Sequence, residues 1–162
     1  MDSLRFRFHL AKRLNVNPYD VAAQVLGEHG TSQVFLWSSA RVAGLPIQCA
    51  FNADCRDDAE VRKSVEQEVR YANITIIEGI GASQLGIGIA CARIAEAILR
   101  DERAVMPIGT YQEKFGVTLS LPGVLGRNGV SRVLVPEMSD EEKAGLERSA
   151  DTLRNALKRI RP

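Results

Sequence analysis

From Asp2 to about Leu14, apolar residues recur at helical spacing: Leu4, Phe8 and Ala11, with Phe6, Leu10 and Leu14 alongside. Asn15-Val16-Asn17-Pro18 stops the pattern, so the spacing predicts a helix that buries most of its girth. Two shorter apolar runs follow. Val21 to Leu26 ends at a turn holding Gly27 and Gly30, and Val34 to Val42 ends at Gly44-Leu45-Pro46. They read as strands joined by a loop of functional character. Asp57 and Asp58 suit the positive end of a helix in which Val61, Val65, Val69, Ala72 and Ile76 share one face. Arg62, Glu66 and Arg70 form i,i+4 pairs on its wet side.

A glycine-rich break, Gly79-Ile80-Gly81-Ala82-Ser83, leads into Leu85 to Leu99, apolar on nearly every face and expected to be central. Val105 to Thr110, Val117 to Leu121 and Val130 to Val135 are separated by Gly116, Pro122 and Gly126-Arg127-Asn128-Gly129, as in an antiparallel meander. In the last helix Ser139 and Glu142 have capping-box spacing, and Leu146, Ala150, Leu153, Leu157 and Ile160 form one apolar stripe. No repeat, low-complexity tract or linker interrupts the chain, which reads as one α+β domain with one core.

Composition narrows the function classes. The 162 residues are 45% hydrophobic and 25% charged, ordinary for a globular protein. Twenty-one Lys and Arg against 20 Asp and Glu leave a net charge of +1, which argues against a nucleic acid held by phosphate neutralisation. Cys49, Cys55 and Cys91 are odd in number and form no CxxC, so a secreted disulfide framework and a zinc ribbon are both disfavoured and a reducing cytoplasm fits. The first residues lack the apolar core of a signal peptide, and no apolar stretch is long enough to span a membrane. A soluble protein is expected.

Among candidate groups, metal binding fails on inventory, because two His and three scattered Cys offer no zinc-site spacing. Ser38 and Ser39 lack the glycine elbow of a nucleophilic serine. Gly79 to Gly86 mimics a dinucleotide-binding turn, but its spacing is GxGxxxxG and Ile74 to Ile77 continue a helical stripe, so a break between helices is favoured. Such a break brings Ser83 to a helix N-terminus suited to a carboxylate. Asp2, Arg5 and His29 can make one oxoacid site: a guanidinium that forks onto a carboxylate, an imidazole that carries a proton, and an acid that favours the charged imidazole. Each has a plainer reading. Asp2 can cap a helix, Arg5 can belong with His9 and Lys12 to a solvated basic face, and His29 can be a hydrogen-bonded loop residue. His9 reads as structural.

Taken in order, Asp2-Ser-Leu-Arg5-Phe-Arg-Phe, Gly27-Glu-His29-Gly30, Leu36-Trp-Ser-Ser-Ala-Arg41, Gly86-Ile-Gly88 with Arg93-Ile-Ala-Glu-Ala-Ile98, and Gly126-Arg-Asn-Gly129 resemble the C-terminal half of the NAD-dependent L-lactate and malate dehydrogenases. The resemblance covers almost the whole chain. It implies an α+β substrate-binding and catalytic domain over residues 1–162, with antiparallel strands packed against long helices. It implies that His29 exchanges a proton with the C2 oxygen of a small 2-oxo or 2-hydroxy acid, that Asp2 stabilises the imidazolium, and that Arg5 binds the substrate carboxylate. Ser83 falls at a substrate-contacting position. Leu36 to Arg41 and Leu119-Ser-Leu-Pro122 look more like lactate than malate enzymes.

The resemblance further implies that NAD is bound mainly by an N-terminal Rossmann domain outside this chain, which also carries the lid. A homo-oligomer is expected, and the chain alone is expected to be inactive. A non-enzymatic assembly domain is the rival. Two departures stand out: Thr31 replaces an Asp common after His-Gly, and Ala22 replaces the His that, with the residue matching Arg7, contacts fructose 1,6-bisphosphate in activated relatives. Allosteric use of Arg7 is therefore doubtful.

Overall fold

The computed structural model describes residues 1–160. Its elements, in chain order, are α1 (Asp2–Leu14), a 3-10 turn (Pro18–Asp20), β1 (Val21–Ala22), β2 (Val25–Leu26), β3 (Val34–Phe35), β4 (Arg41–Val42), β5 (Leu45–Pro46), α2 (Ile47–Phe51), α3 (Ala59–Arg70), α4 (Ala72–Ile80), α5 (Gln84–Leu99), β6 (Ala104–Gln112), β7 (Val117–Gly126), β8 (Gly129–Val133) and α6 (Asp140–Ile160). They divide into two compact units. The first holds Met1–Val25 and Phe35–Ser83, and the second Leu26–Val34 with Gln84 onward.

In the first unit, α1 runs over the span that its periodicity predicts. Asn15 ends it in the left-handed region at φ 53°, a conformation that Asn tolerates better than most residues. Phe6, Leu10 and Ala11 are buried, whereas Leu4 and Phe8 are half exposed, so the helix buries one face instead of most of its girth. Phe6 makes edge-to-face contacts with Phe35 and Trp37, its ring centroid 5.2 and 5.0 Å from theirs. Val65 and Val69 of α3 complete this core with Val21, Ala23, Val25, Ala40 and Ile47.

Asp58 caps α3 by accepting from the Glu60 and Val61 amides, each at 3.0 Å. The stripe from Val61 to Ile76 is not one helix: Tyr71 separates α3 from α4. The strands expected over Val21 to Leu26 and Val34 to Val42 are reduced to short pieces, and β1, β4 and β5 form a small antiparallel sheet. The reason lies in the backbone: the chain turns at Ser38 and Ser39, where the Ala40 amide donates to the Trp37 carbonyl at 3.2 Å, and this breaks the run. Cys49 and Cys55 form a disulfide, one local staple between α2 and the loop after it, which corrects the reading of all three cysteines as thiols in a reducing setting.

The second unit is built on the antiparallel meander β6-β7-β8. β6 pairs along its whole length with β7, from Ala104 opposite Leu125 to Gln112 opposite Val117. α6 opens with the expected capping box: the Ser139 amide donates to Glu142 Oε2 at 2.8 Å, and the Glu142 amide donates to Ser139 Oγ at 3.2 Å. Leu146 and Ala150 of α6 are buried, and the helix lies on β7. α5 corrects the expectation of a central helix. Only Ala97 of it is buried, and Leu85, Ile87, Ile89 and Leu99 are more than half exposed. A helix apolar all round needs cover on several sides, and the meander supplies one. Among the described residues no helix is long and apolar enough to cross a membrane.

Candidate functional site

The first turn of α1 places Asp2 and Arg5 one helical step apart, Arg5 Nη1 lying 3.6 Å from Asp2 Oδ1, with both side chains largely shielded at 14% and 12% exposure. Asp2 is not the N-cap, which is Met1; it stands in the first turn, where the helix dipole favours an anion. Between them, Ser3 faces inward. Its hydroxyl donates to the Val25 carbonyl at 3.3 Å and accepts from the Val25 amide at 2.9 Å, so the segment at Val25 fixes this turn. Arg7, on the same helix, donates from Nε to the Ala23 carbonyl at 2.9 Å, and burial lowers its pKa. Nothing in the sequence marked Ser3 except that it is a small hydroxyl on the inward side of a helix start.

His29 belongs to the second unit, on a loop held from two sides. At its root, Gly27 exchanges backbone hydrogen bonds with Ser120 of β7, donating at 2.9 Å and accepting at 3.0 Å. Gly27 has φ 86°, and a Cβ there would sit 2.5 Å from Ser149 Oγ of α6, so both backbone angle and space demand glycine. The next amide, of Glu28, donates to Ser149 Oγ at 2.8 Å.

The Glu28 carboxylate turns back into the loop and accepts from Ser32, from its hydroxyl at 2.6 Å and its amide at 3.3 Å. Gly30 crosses over that carboxylate, where a Cβ would lie 2.1 Å from Oε1. His29 is thereby presented at the exposed crest of the loop. Gly27, Glu28 and Gly30 thus each have a separate local task around His29. Sequence reading singled out the motif but missed Ser32, Ser120 and Ser149. The one available signal was a serine at 149 between Leu146 and Leu153 on the apolar stripe of α6.

Ser83 is half-buried and directly precedes Gln84, the first residue of α5. The glycine-rich segment before it is a helix-to-helix break: α4 ends at Ile80, and Gly81 closes it at φ 80° with its amide on the Ile77 carbonyl. No strand feeds this turn, so it does not build a dinucleotide cradle. Asp2, Arg5 and Ser83 lie in the first unit and His29 in the second.

The sequence model of a family described as lactate/malate dehydrogenase, alpha/beta C-terminal domain, matches residues 1–161. The chain belongs to that family. Among curated members of the wider dehydrogenase group, the L-lactate dehydrogenase of Chloroherpeton thalassium is 45% identical over 161 residues, covering 99% of this chain and 53% of the relative. That of Deinococcus radiodurans is 44% identical over 155 residues, covering 95% of the chain and 51% of the relative. A solved minor L-lactate dehydrogenase from Enterococcus mundtii superposes with a TM-score of 0.92 at 33% identity, covering 99% of this chain and 52% of that one. This lactate/malate dehydrogenase C-terminal domain therefore spans about half the length of the relatives it matches. Its mixed architecture of helices and antiparallel strands is the one the resemblance implied.

Proposed function

We propose that this chain is the substrate-binding and proton-transfer half of an L-lactate dehydrogenase, acting on a small 2-oxo or 2-hydroxy acid. The observation that carries the reading is the His29 loop: strand, helix and internal side chains all fix its backbone, while the imidazole stays exposed at the crest. Arg5 binds the substrate carboxylate through two parallel N–H···O bonds, which a Lys ammonium cannot reproduce. The His29 imidazolium donates its proton to the C2 oxygen when pyruvate is reduced, and the neutral ring takes it back when lactate is oxidised. Asp2 favours the charged ring, and Ser83 offers a hydroxyl to the substrate. The assignment of these roles to His29, Asp2 and Arg5 is the substance of the proposal.

The hydride of this reaction belongs to NAD, which is assigned mainly to another half of the enzyme; the glycine-rich turn at Gly81 joins two helices and is not given a part in holding it. The cofactor is assigned to a nucleotide-binding half outside this chain, and a cytoplasmic setting goes with that assignment. The lactate choice over malate rests on Leu36 to Arg41, on Leu119 to Pro122 and on the relatives named above. The test is to fuse the nucleotide-binding half of the Chloroherpeton thalassium relative ahead of Met1 and to follow NADH oxidation with pyruvate. Turnover is expected in the fusion and none in the 162-residue chain alone. His29→Asn should lower kcat by about a hundredfold or more, the usual worth of a positioned acid. Arg5→Lys should act chiefly on pyruvate affinity. Unchanged turnover in His29→Asn defeats the assignment.

One observation favours an assembly role beside the catalytic one. α5 presents Leu85, Ile87, Ile89 and Leu99 outward, an apolar surface of the kind that marks a partner interface. A homo-oligomer, or the other half of the enzyme, is assigned to cover it. Sedimentation of Ile89→Lys against the parent chain checks this, and an unaltered distribution of sizes, if the parent chain associates, excludes α5 from the contact.

A further inference from the structure

We propose that Ser149, on the last helix, is a positioning residue for His29. The inference rests on the reading of His29 as the proton carrier and names the group that sets its loop.

Ser149 is fully buried, and it meets the loop across 121 positions of sequence. Its Oγ accepts from the Glu28 amide at 2.8 Å and lies 3.3 Å from Ser32 Oγ. The Ser32 hydroxyl is directed at Glu28 Oε2, 2.6 Å away. A hydroxyl has one proton and two lone pairs, which orients the set. Ser32 uses its proton on the carboxylate, so it accepts from Ser149, and Ser149 accepts from the Glu28 amide. The result is a ring that starts at the backbone of Glu28, passes through Ser149 and Ser32, and closes on the carboxylate of the same residue. Bonds in such a directed chain polarise one another, and the buried hydroxyl at its centre has no water to replace a lost partner.

Closeness makes the arrangement intolerant of other side chains. The Gly27 backbone lies so near that a Cβ on it would reach 2.5 Å from Ser149 Oγ. The ring therefore fixes the Gly27–Glu28 peptide unit and the Glu28 side chain, in the residue that enters the His29 crest. Loss of Ser149 Oγ opens the ring at its link to α6 and lets the imidazole sample several positions.

The test uses the chain itself, by NMR. In Ser149→Ala, hydrogen exchange at the Glu28 amide should accelerate about fivefold, the effect of one lost hydrogen bond. The His29 ring resonances should shift and broaden. Ser149→Thr keeps the oxygen and should restore both signals, whereas Thr152→Ala, an exposed change on the same helix, should move neither. A role confined to the stability of α6 predicts no His29 signature and no rescue.

Wild-type His29 and Glu28 signals in Ser149→Ala overturn the proposal. If that variant fails to fold, Ser32→Ala opens the ring at its half-buried end, and an unmoved His29 ring there overturns it equally. The outcome is separable from the parent reading. Ring signals that follow Ser149, together with a His29→Asn fusion that still turns over, leave the positioning intact and remove the catalytic role.

Discussion

Arg13 clasps Glu68 with both prongs of its guanidinium, Nη2 to Oε1 at 2.7 Å and Nη1 to Oε2 at 3.1 Å, and so ties α1 to α3. His9 Nδ1 approaches the same Oε2, and Ser64 Oγ accepts from Arg13 at 2.8 Å. The lone helix-body imidazole that the sequence marked as structural thus belongs to an inter-helix ionic cluster. Burial pushes the His9 pKa below its ordinary value of 6.5, with Arg13 and Lys12 adding to the shift and Glu68 opposing it. The hydrogen bond from Arg13 holds Glu68 below its ordinary 4.5 against a smaller opposing effect of burial. Both groups take up protons more readily in the unfolded chain. Stability is therefore complete above the imidazole range, falls as pH drops through it, and falls again through the carboxylate range. Melting temperatures measured from neutral pH to about 4 check this. His9→Gln should flatten the upper limb and Glu68→Gln the lower one; the opposite assignment defeats the cluster.

Gly30 and Gly88 respond oppositely to the same substitution. At Gly30 a new Cβ meets the Glu28 carboxylate at 2.1 Å and forces it off Ser32, at a cost of about 1 kcal/mol. At Gly88, in the middle of α5, nothing lies within 4 Å, and Gly88→Ala should stabilise by about 0.5–1 kcal/mol through helix propensity. Urea unfolding of the two variants separates them. Equal effects contradict the loop geometry.

Phe6 has no exposed surface and sits between the rings of Phe35 and Trp37. Phe6→Ala should cost about 3–5 kcal/mol in the first unit. Leu4, on the other face of the same helix, is 50% exposed, and Leu4→Ala should cost well under that. Comparable losses at both positions contradict a one-faced α1.

The reciprocal bonds of Ser139 and Glu142 make the start of α6 sensitive to a single oxygen. Ser139→Ala should lower stability by about 1 kcal/mol, and Ser139→Asp, which keeps an acceptor, by less. Chemical denaturation followed by helix circular dichroism tests the order.

How far the sequence could be read depended on the range of the forces involved. α1 and α6 were legible to within a residue or two at their starts, because periodicity, Asn15 and the Ser139 box act within a few residues. The meander was legible because β6, β7 and β8 are consecutive and their turns carry Gly116, Gly126 and Gly129. The segment around Leu36 and Trp37 was misread as a strand. Phe35 and Trp37 are buried against α1 and α3 and the chain turns at Ser38 and Ser39, neither of which periodicity within the segment reveals. α5 was misjudged because an apolar helix states that it needs cover without stating what provides it.

The sequence by itself determined the local elements, the family, and the chemistry available at Asp2, Arg5 and His29, since residue type and short-range spacing fix capping, amphipathic faces and acid–base capacity. Only the tertiary structure decided what holds the histidine loop. Ser120 and Ser149 come to Gly27 and Glu28 from a strand and a helix far along the chain, and a hydrogen bond between such distant residues leaves no periodic trace in either segment.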